Sequence, residues 1–357
     1  MPATDPSPRW AAAAKAARKA FDPATAERIE RLYDGLDAQR LFASFATPKP
    51  SWLFLTDRSH AQTKDDDAQR LETLRELIDA GAGPAEHVGI RGALRVGHEQ
   101  REALTRSPPV VDGLAYIQGL ASRLAVDALG AQPGERVLDL CAAPGGKTLR
   151  LAMDVAGPAG TASRVVAVEP SAGRRHKLLA NLRRCGAHDV EVIGRDGRRL
   201  GDAHRAAYDR VLVDAPCSGE ARWSIDPATP PPGAPPERFA YRPGRSRRLA
   251  AVQVALLRAA VNATRPGGVV VYTTCTLSPE ENEAVVHKTL RKCAGAVSVA
   301  SIDTEGWPHT RRSGLARWND RTYEPSLAKA VRLAPDPEHD GMFCCRLRVA
   351  DAAVAGV

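Results

Sequence analysis

Two cysteines draw attention because of their neighbours. Cys275 closes an apolar run in "YTTCTLSPEENEAVV" (Tyr272 to Val286), and Cys217 follows an acid and a proline in "DAPCSGE". A cysteine in such a place packs, ligates a metal or acts as a nucleophile. A free cysteine standing alone usually packs as a small hydrophobe. Two of them, at the ends of two strands and beside a glycine loop, point instead to thiol chemistry, which needs an ionised sulfur and hence a nearby cation. Lys147 lies in that glycine loop. The other cysteines, Cys185, Cys293, Cys344 and Cys345, read as packing residues, while Cys141 sits inside the loop and either packs or meets a ligand through its backbone. No pair of the seven is spaced as C-x-x-C, so neither a zinc ribbon nor a thioredoxin-like motif is written here, no metal is expected, and a reducing compartment is the simplest setting.

The loop itself is "LDLCAAPGGKTLRLA" (Leu138 to Ala152). Its GGKT suggests a phosphate-binding loop, but that spacing requires glycine where Cys141 stands, and the dinucleotide pattern G-x-G-x-x-G is also missing. What remains is a strand ending in Asp139, small residues, two glycines and a helix start. Small residues let a ligand approach the backbone, and free N–H groups at a helix start favour an anionic group. The next strand ends in Glu169, suited to ribose hydroxyls. After the third, "GRDGR" places Asp196 to take the amino group of a purine. Together these features suit an adenosyl ligand without a triphosphate.

The elements that must position these residues follow from periodicity. Strands are expected at 136–140, 164–169, 190–193, 210–214 and 268–274, with helical patterns at 148–156, 172–184, 247–263 and 280–292. Such alternation predicts an α/β fold, a mostly parallel sheet covered by helices on both faces, with ligands outside the carboxyl ends of the strands. A smaller, mainly helical N-terminal region over residues 1–110 precedes a catalytic domain at 111–350, with a tail at 351–357. In the N-terminal region 23–36 and 67–81 carry helical spacing, and "PSWLFLTDR" reads as a short strand. The basic segment 9–21 reads as a surface helix rather than a targeting peptide. A Pro- and Arg-rich insertion at 226–248 directly follows the Cys217 motif and reads as a substrate loop or a surface excursion. No apolar run reaches the roughly 18 residues that a membrane span needs. The 50 Lys and Arg outnumber the 42 Asp and Glu, giving a formal charge of +8 that favours a polyanionic partner.

"DLCAAPGGKT", "DAPCSGE" and "YTTCTLSPEENE", in this order and at strand ends, resemble the signature motifs of the RsmB/Nop2/NSUN family of RNA cytosine-5 methyltransferases. The resemblance covers residues 113 to 349, including "YIQGLAS" and "DGMFCCRLRV". It implies a Rossmann-like S-adenosyl-L-methionine-dependent methyltransferase that forms 5-methylcytosine in RNA, rRNA being favoured over tRNA. Carried over by position, Cys141, Ala142, Ala143, Pro144, Gly145, Gly146 and Lys147 line the cofactor site. Glu169 holds the ribose, Asp196 meets the adenine, and Asp214 sits near the methionine moiety and the target base. Cys217 is the release cysteine and Cys275 the nucleophile. The family usually has aspartate where Glu169 stands, which keeps the carboxylate on a longer arm.

Such chemistry would need these residues, because C5 of cytosine is too poor a nucleophile to take a methyl group unaided. A thiolate adding to C6 makes C5 enamine-like, and covalent catalysis of this kind splits one hard step into easier ones. Asp214 would stabilise charge on the ring, and Cys217 would help remove the C5 proton, as base or through a water. RNA phosphates are expected at "RRHK" (174–177), "RDGRR" (195–199), "RPGRSRR" (242–248) and "RRSGLAR" (311–317). Trp223, Tyr241, Trp307 and Trp318 are candidates for stacking on bases or for core packing. A cytoplasmic monomer is the expected setting. The competing readings are an RNA-binding assembly factor that does not methylate, and a methyltransferase for DNA or a small molecule.

Overall fold

A computed structural model of the chain describes residues 8–56, 64–88, 93–156, 164–225, 239–293, 295–307 and 310–351. Three helices come first: α1 (Pro8–Ala20), α2 (Pro23–Leu32) and α3 (Ala38–Ala46). Asp22 and Asp37 cap α2 and α3 by accepting backbone N–H bonds, and Pro23 opens α2, where its missing donor costs nothing. The expected helix at 9–21 is therefore present as α1, and it buries Ala14 and Ala17.

A four-stranded antiparallel sheet follows, built from β1 (Ser51–Leu55), β2 (Ala85–Val88), β3 (Ala93–Val96) and β4 (Ala115–Ile117) in the order β2-β3-β1-β4. Helix α4 (Lys64–Ala82) crosses between β1 and β2, and the short α5 (Arg101–Arg106) and α6 (Pro108–Val111) precede β4. The period of two in β1 decides how this sheet sits. Leu53 faces the α4 side chains Leu71, Leu74 and Ile78, whereas Trp52 and Phe54 face α7 (Leu120–Leu129) and the larger sheet. The N-terminal region is thus more than helices, its sheet takes in β4 beyond residue 110, and it shares its apolar core with the unit that follows.

That unit begins with β5 (Arg136–Asp139), α8 (Gly146–Val155), β6 (Arg164–Val168), α9 (Ala172–Arg184), β7 (Glu191–Ile193) and β8 (Tyr208–Asp214). It continues with α10 (Pro243–Ala263), β9 (Thr264–Thr274), α11 (Glu283–Lys292), β10 (Val297–Ala300) and β11 (Arg311–Ser313). A two-stranded ladder of β12 (Arg317–Trp318) and β13 (Arg321–Thr322) precedes β14 (Val331–Leu333) and β15 (Met342–Val349). The large sheet has the order β11-β14-β15-β9-β8-β5-β6-β7, with β10 also on β15. Strands β7, β6, β5, β8 and β9 run parallel, and β15 joins β9 antiparallel. This is the Rossmann-like architecture expected.

Both faces of the parallel strands are covered, which explains their uninterrupted apolar runs. Leu138, Val166, Val211, Val213 and Val270 face α10, α11 and the α1–α3 group, while Val137, Val165, Ala167, Leu212 and Val271 face α7, α8 and α9. The chain leaves β5 towards β6 on one side and returns to β8 on the other. The crevice at such a reversal, outside the strand carboxyl ends, is where this architecture receives ligands.

Helix α11 starts at Glu283 rather than at the expected residue 280, because Pro279 to Asn282 form a turn. Glu283 makes two hydrogen bonds to Arg332 of β14, at 2.6 and 2.5 Å, with both side chains buried. Removing one member strands a buried charge. Glu283→Gln is expected to lower unfolding stability by about 3–5 kcal/mol in urea titrations, and Glu283→Gln with Arg332→Met to recover much of that loss.

Candidate active site

The sheet brings the predicted residues to one end. Asp139 closes β5 and Asp214 closes β8, the loop Cys141–Gly145 lies after β5, Glu169 follows β6, Cys217 lies three residues beyond Asp214, and Cys275 directly follows β9. The two sulfurs are 3.3 Å apart. They are at the ends of adjacent parallel strands, in loops that run over the same crevice.

A set of hydrogen bonds fixes the loop around Cys275. Glu281 accepts the Ser218 N–H at 3.0 Å and the Gln253 side-chain amide at 2.9 Å, and Gln253 also donates to the Pro216 carbonyl at 2.8 Å. The loop carrying Cys217 is thereby tied to the loop carrying Cys275 through α10. The Ser218 and Thr276 hydroxyls meet at 2.6 Å. Asn282 accepts from the Thr274 hydroxyl and donates to the Thr276 carbonyl, closing the turn on itself. Glu280 accepts from Arg28 of α2 at 2.5 Å and from Ser278 at 2.7 Å. The stretch that reads as a helix start is in fact an anchor, in which three glutamates reach three separate elements.

Electrostatics divide the two thiols. Cys275 is held below the ordinary thiol value, chiefly because Cys217 donates a hydrogen bond to its sulfur, with Arg222 and Lys147 adding positive charge against burial and Asp214. Cys217 moves the other way, pushed well up by that same hydrogen bond and by burial. One sulfur is disposed to ionise while its neighbour keeps its proton. Lys147 Nζ lies 2.7 Å from Asp214 Oδ2, so the lysine is engaged in an ion pair rather than standing alone beside the sulfur.

The loop after β5 is enclosed by acids. Asp139 is buried, accepts from the Thr148 hydroxyl at 2.7 Å, and is pushed up to about 6 by burial. Buried Glu169 accepts the Ser171 N–H at 2.9 Å, with Arg174 at 3.4 Å. Burial, then the charges of Asp139, Asp214 and Glu169, push the Cys141 thiol well up. Gly145 has φ of +113°, a backbone state that disfavours side chains, and no side chain caps the α8 N–H groups behind it. Asp196 sits at the third strand end as expected, but its carboxylate is engaged by the backbone and guanidinium of Arg198. Gly197 presses on Leu140, where a Cβ would come within 2.8 Å of Leu140 Cγ, so Asp196 stands beside the β5 loop.

Other expected contacts are more committed than the sequence implies. Trp307 and Trp318 are buried, Arg28 and Arg31 lie over the Trp318 ring, and Arg28 also covers Tyr241. Trp223 is half-buried against Phe21 and Phe239. Arg174 donates to the Ala143 carbonyl and Arg175 to that of Glu169, so part of the first basic cluster braces the site. Residues 226–238 of the Pro-rich insertion and 352–357 of the tail lie outside the described residues. Among the described residues no group of three metal-ligating side chains is present, and no helix is long and apolar enough to cross a membrane.

Comparison with known proteins decides the family. The sequence model described as 16S rRNA methyltransferase RsmB/F matches residues 126–348. The chain belongs to this family. It is 41% identical over 194 residues to the ribosomal RNA small subunit methyltransferase F of Erwinia tasmaniensis, covering 54% of this chain and 38% of that protein. It is 38% identical over 220 residues to the mitochondrial tRNA (cytosine(34)-C(5))-methyltransferase of Mus musculus, covering 61% of this chain and 58% of that one. The match thus spans well under two thirds of either relative. A methyltransferase homolog from Pyrococcus horikoshii superimposes with a TM-score of 0.72, at 24% identity, over 96% of this chain and 99% of that one, which supports the fold.

Three residues that matter at this site escape a reading of motifs alone. Glu220 closes the quoted DAPCSGE stretch, Arg222 lies just beyond it and Gln253 lies within the expected 247–263 helix, but the sequence assigns none of them a role. Glu220 is buried and pushed up to about 7, first by burial and then by Glu281, with Arg28 opposing. A raised carboxyl stabilises the fold below its ordinary value and loses that contribution as pH climbs through about 7. Glu220→Gln is therefore expected to be more stable than the parent at about pH 8.5, by roughly 2–3 kcal/mol. The gap should close as pH falls to about 4.5, as urea titrations across that range would show.

Proposed function

We propose that this chain methylates C5 of cytosine in RNA, using S-adenosyl-L-methionine and a covalent bond from Cys275 to C6 of the base. The observation that carries the reading is the contact between Cys275 and Cys217, which pairs a thiol disposed to ionise with one disposed to stay protonated. Family membership supports it, as do the names of the rRNA and tRNA methyltransferases that the chain resembles. The family description and the bacterial relatives favour rRNA as the first RNA to test.

The residues present fit the cofactor. A sulfonium and an ammonium suit a loop enclosed by Asp139, Asp214 and Glu169, and a carboxylate suits the uncapped start of α8 after Gly145. Glu169 would hold the ribose, and Asp196 would reach an adenine amino group once Arg198 shares or releases it. When bound, S-adenosyl-L-methionine supplies an electrophilic methyl group. The chain supplies the rest. Cys275 adds as thiolate to C6, shifting the ring electrons so that C5 becomes nucleophilic. Asp214, with Lys147 beside it, would hydrogen-bond the N3 and 4-amino edge as charge builds there. After transfer the C5 proton leaves to a water held beside Cys217, whose own thiol stays protonated, the C5–C6 double bond re-forms, and Cys275 departs as thiolate.

Incubating the protein with unmodified rRNA or tRNA and labelled S-adenosyl-L-methionine should yield 5-methylcytosine, and Cys275→Ala should abolish it. Cys217→Ala should accumulate a protein–RNA band that survives SDS and disappears when Cys275 is also replaced. Cys275→Ala with full activity would overturn the assignment. Glu169→Ala is expected to weaken S-adenosyl-L-methionine binding about 10- to 100-fold by calorimetry, the loss typical of hydrogen bonds to a charged group.

A further inference from the structure

We propose that Arg222 is the positioning residue for the Cys275 thiolate, because its turn is hydrogen-bonded to the Cys275 loop and its charge, unlike that of Lys147, is not cancelled by a close ion pair. The inference rests on Cys275 being the nucleophile. Cys217 touches the Cys275 sulfur at 3.3 Å, and the charges that act most on it are those of Asp214 at the end of β8, Lys147 from α8 and Arg222 from the short turn Glu220–Arg222. Cys217 contributes a neutral donor. Lys147 and Asp214 lie 2.7 Å apart and carry opposite charges, so seen from the sulfur they act largely as a dipole. What remains is the guanidinium of Arg222, whose positive charge acts on the Cys275 sulfur.

The backbone fixes the root of Arg222. The Ala221 N–H donates to the Cys275 carbonyl at 3.1 Å, and the Gly341 N–H donates to the Ala221 carbonyl at 3.3 Å. The turn is therefore stitched to the nucleophile loop on one side and to the start of β15 on the other. The acid nearest Arg222, Asp340, stands 3.7 Å from its Nε and is shared with Lys49 at 3.4 Å. Both are looser than the 2.7 Å pair of Lys147. The Arg222 side chain is 65% exposed against 11% for Lys147, which places it at the open mouth of the site. A guanidinium holds its charge at any working pH, so a partly wet position does not switch it off, although salt weakens its reach.

The test is the pH dependence of iodoacetamide labelling of Cys275 in the full chain without RNA, followed by peptide mass spectrometry so that the other cysteines do not interfere. In the parent, Cys275 should label with a midpoint below the ordinary thiol value. Arg222→Gln should raise that midpoint by about one unit, slowing labelling near neutrality roughly tenfold. Arg222→Lys should restore most of the shift, and added salt should raise the midpoint of the parent towards that of Arg222→Gln. The charge-neutral change Lys147→Gln with Asp214→Asn should move it far less. A depressed parent midpoint that Arg222→Gln leaves unchanged would overturn the proposal. A parent midpoint at the ordinary value would instead overturn Cys275 as nucleophile. Should Arg222→Gln fail to fold by circular dichroism, the salt response and Arg222→Lys decide: a salt-independent parent midpoint contradicts the proposal.

Discussion

The site depends on one contact, the 3.3 Å approach of two sulfurs carried by loops of adjacent parallel strands. Neighbouring strands lie closer than 5 Å, so loops leaving their ends can meet, but nothing in strand pairing alone aims two side chains at one another. Here the aim comes from a buried polar frame. Glu281 joins the two loops through Ser218 and Gln253, Asn282 closes the turn after Thr276, and Glu283 grips Arg332 across the sheet. Buried polar groups are costly unless satisfied, and a satisfied network specifies one geometry. The frame also reaches the N-terminal helices, since Arg28 binds Glu280 and the Phe45 carbonyl takes the Ile225 N–H.

Charge in the crevice is arranged in two zones. Around the β5 loop, Asp139, Glu169 and Asp214 make surroundings that favour a cation. Around Cys275 the balance tips the other way, with Asp214 offset by Lys147 and with Arg222 at the rim. Asp214 belongs to both zones, and its ion pair with Lys147 marks the boundary between them. A single carboxylate can therefore face a cationic ligand on one side, while Lys147 and Arg222 offset its repulsion of a thiolate on the other. The separation of the two thiols, one lowered and one raised, follows from the same geometry, because the proton they share cannot be held equally by both.

Much of this was legible in the sequence, for physical reasons. The parallel strands are buried on both faces, so Val137–Leu138 and Val211–Val213 read as apolar runs that each end at an aspartate, and helix α9 appears at its expected 172–184. Motifs at strand ends fall in the crevice by topology alone, which is why the two cysteines, the β5 loop and the acids come together. The N-terminal sheet was hidden because β2 and β3 are four residues each and β4 is three, too short for alternation to show. The role of the glutamates at 280, 281 and 283 was hidden because local pattern reads acids after proline as a helix start, while their partners Arg28, Gln253 and Arg332 are distant in the chain. For Trp318 the sequence leaves base stacking and core packing both open, and the structure buries it beneath two arginines, a contact that composition does not reveal.

The most direct measurement of the central claim uses RNA containing 5-fluorocytosine, whose C5 substituent cannot leave as a proton. Incubated with the protein and S-adenosyl-L-methionine, it should form a stable adduct, and digestion followed by mass spectrometry should place the base on the peptide containing Cys275. Formation should require the cofactor. An adduct on Cys217, or continued methylation of ordinary RNA with no adduct at either cysteine, would contradict the account.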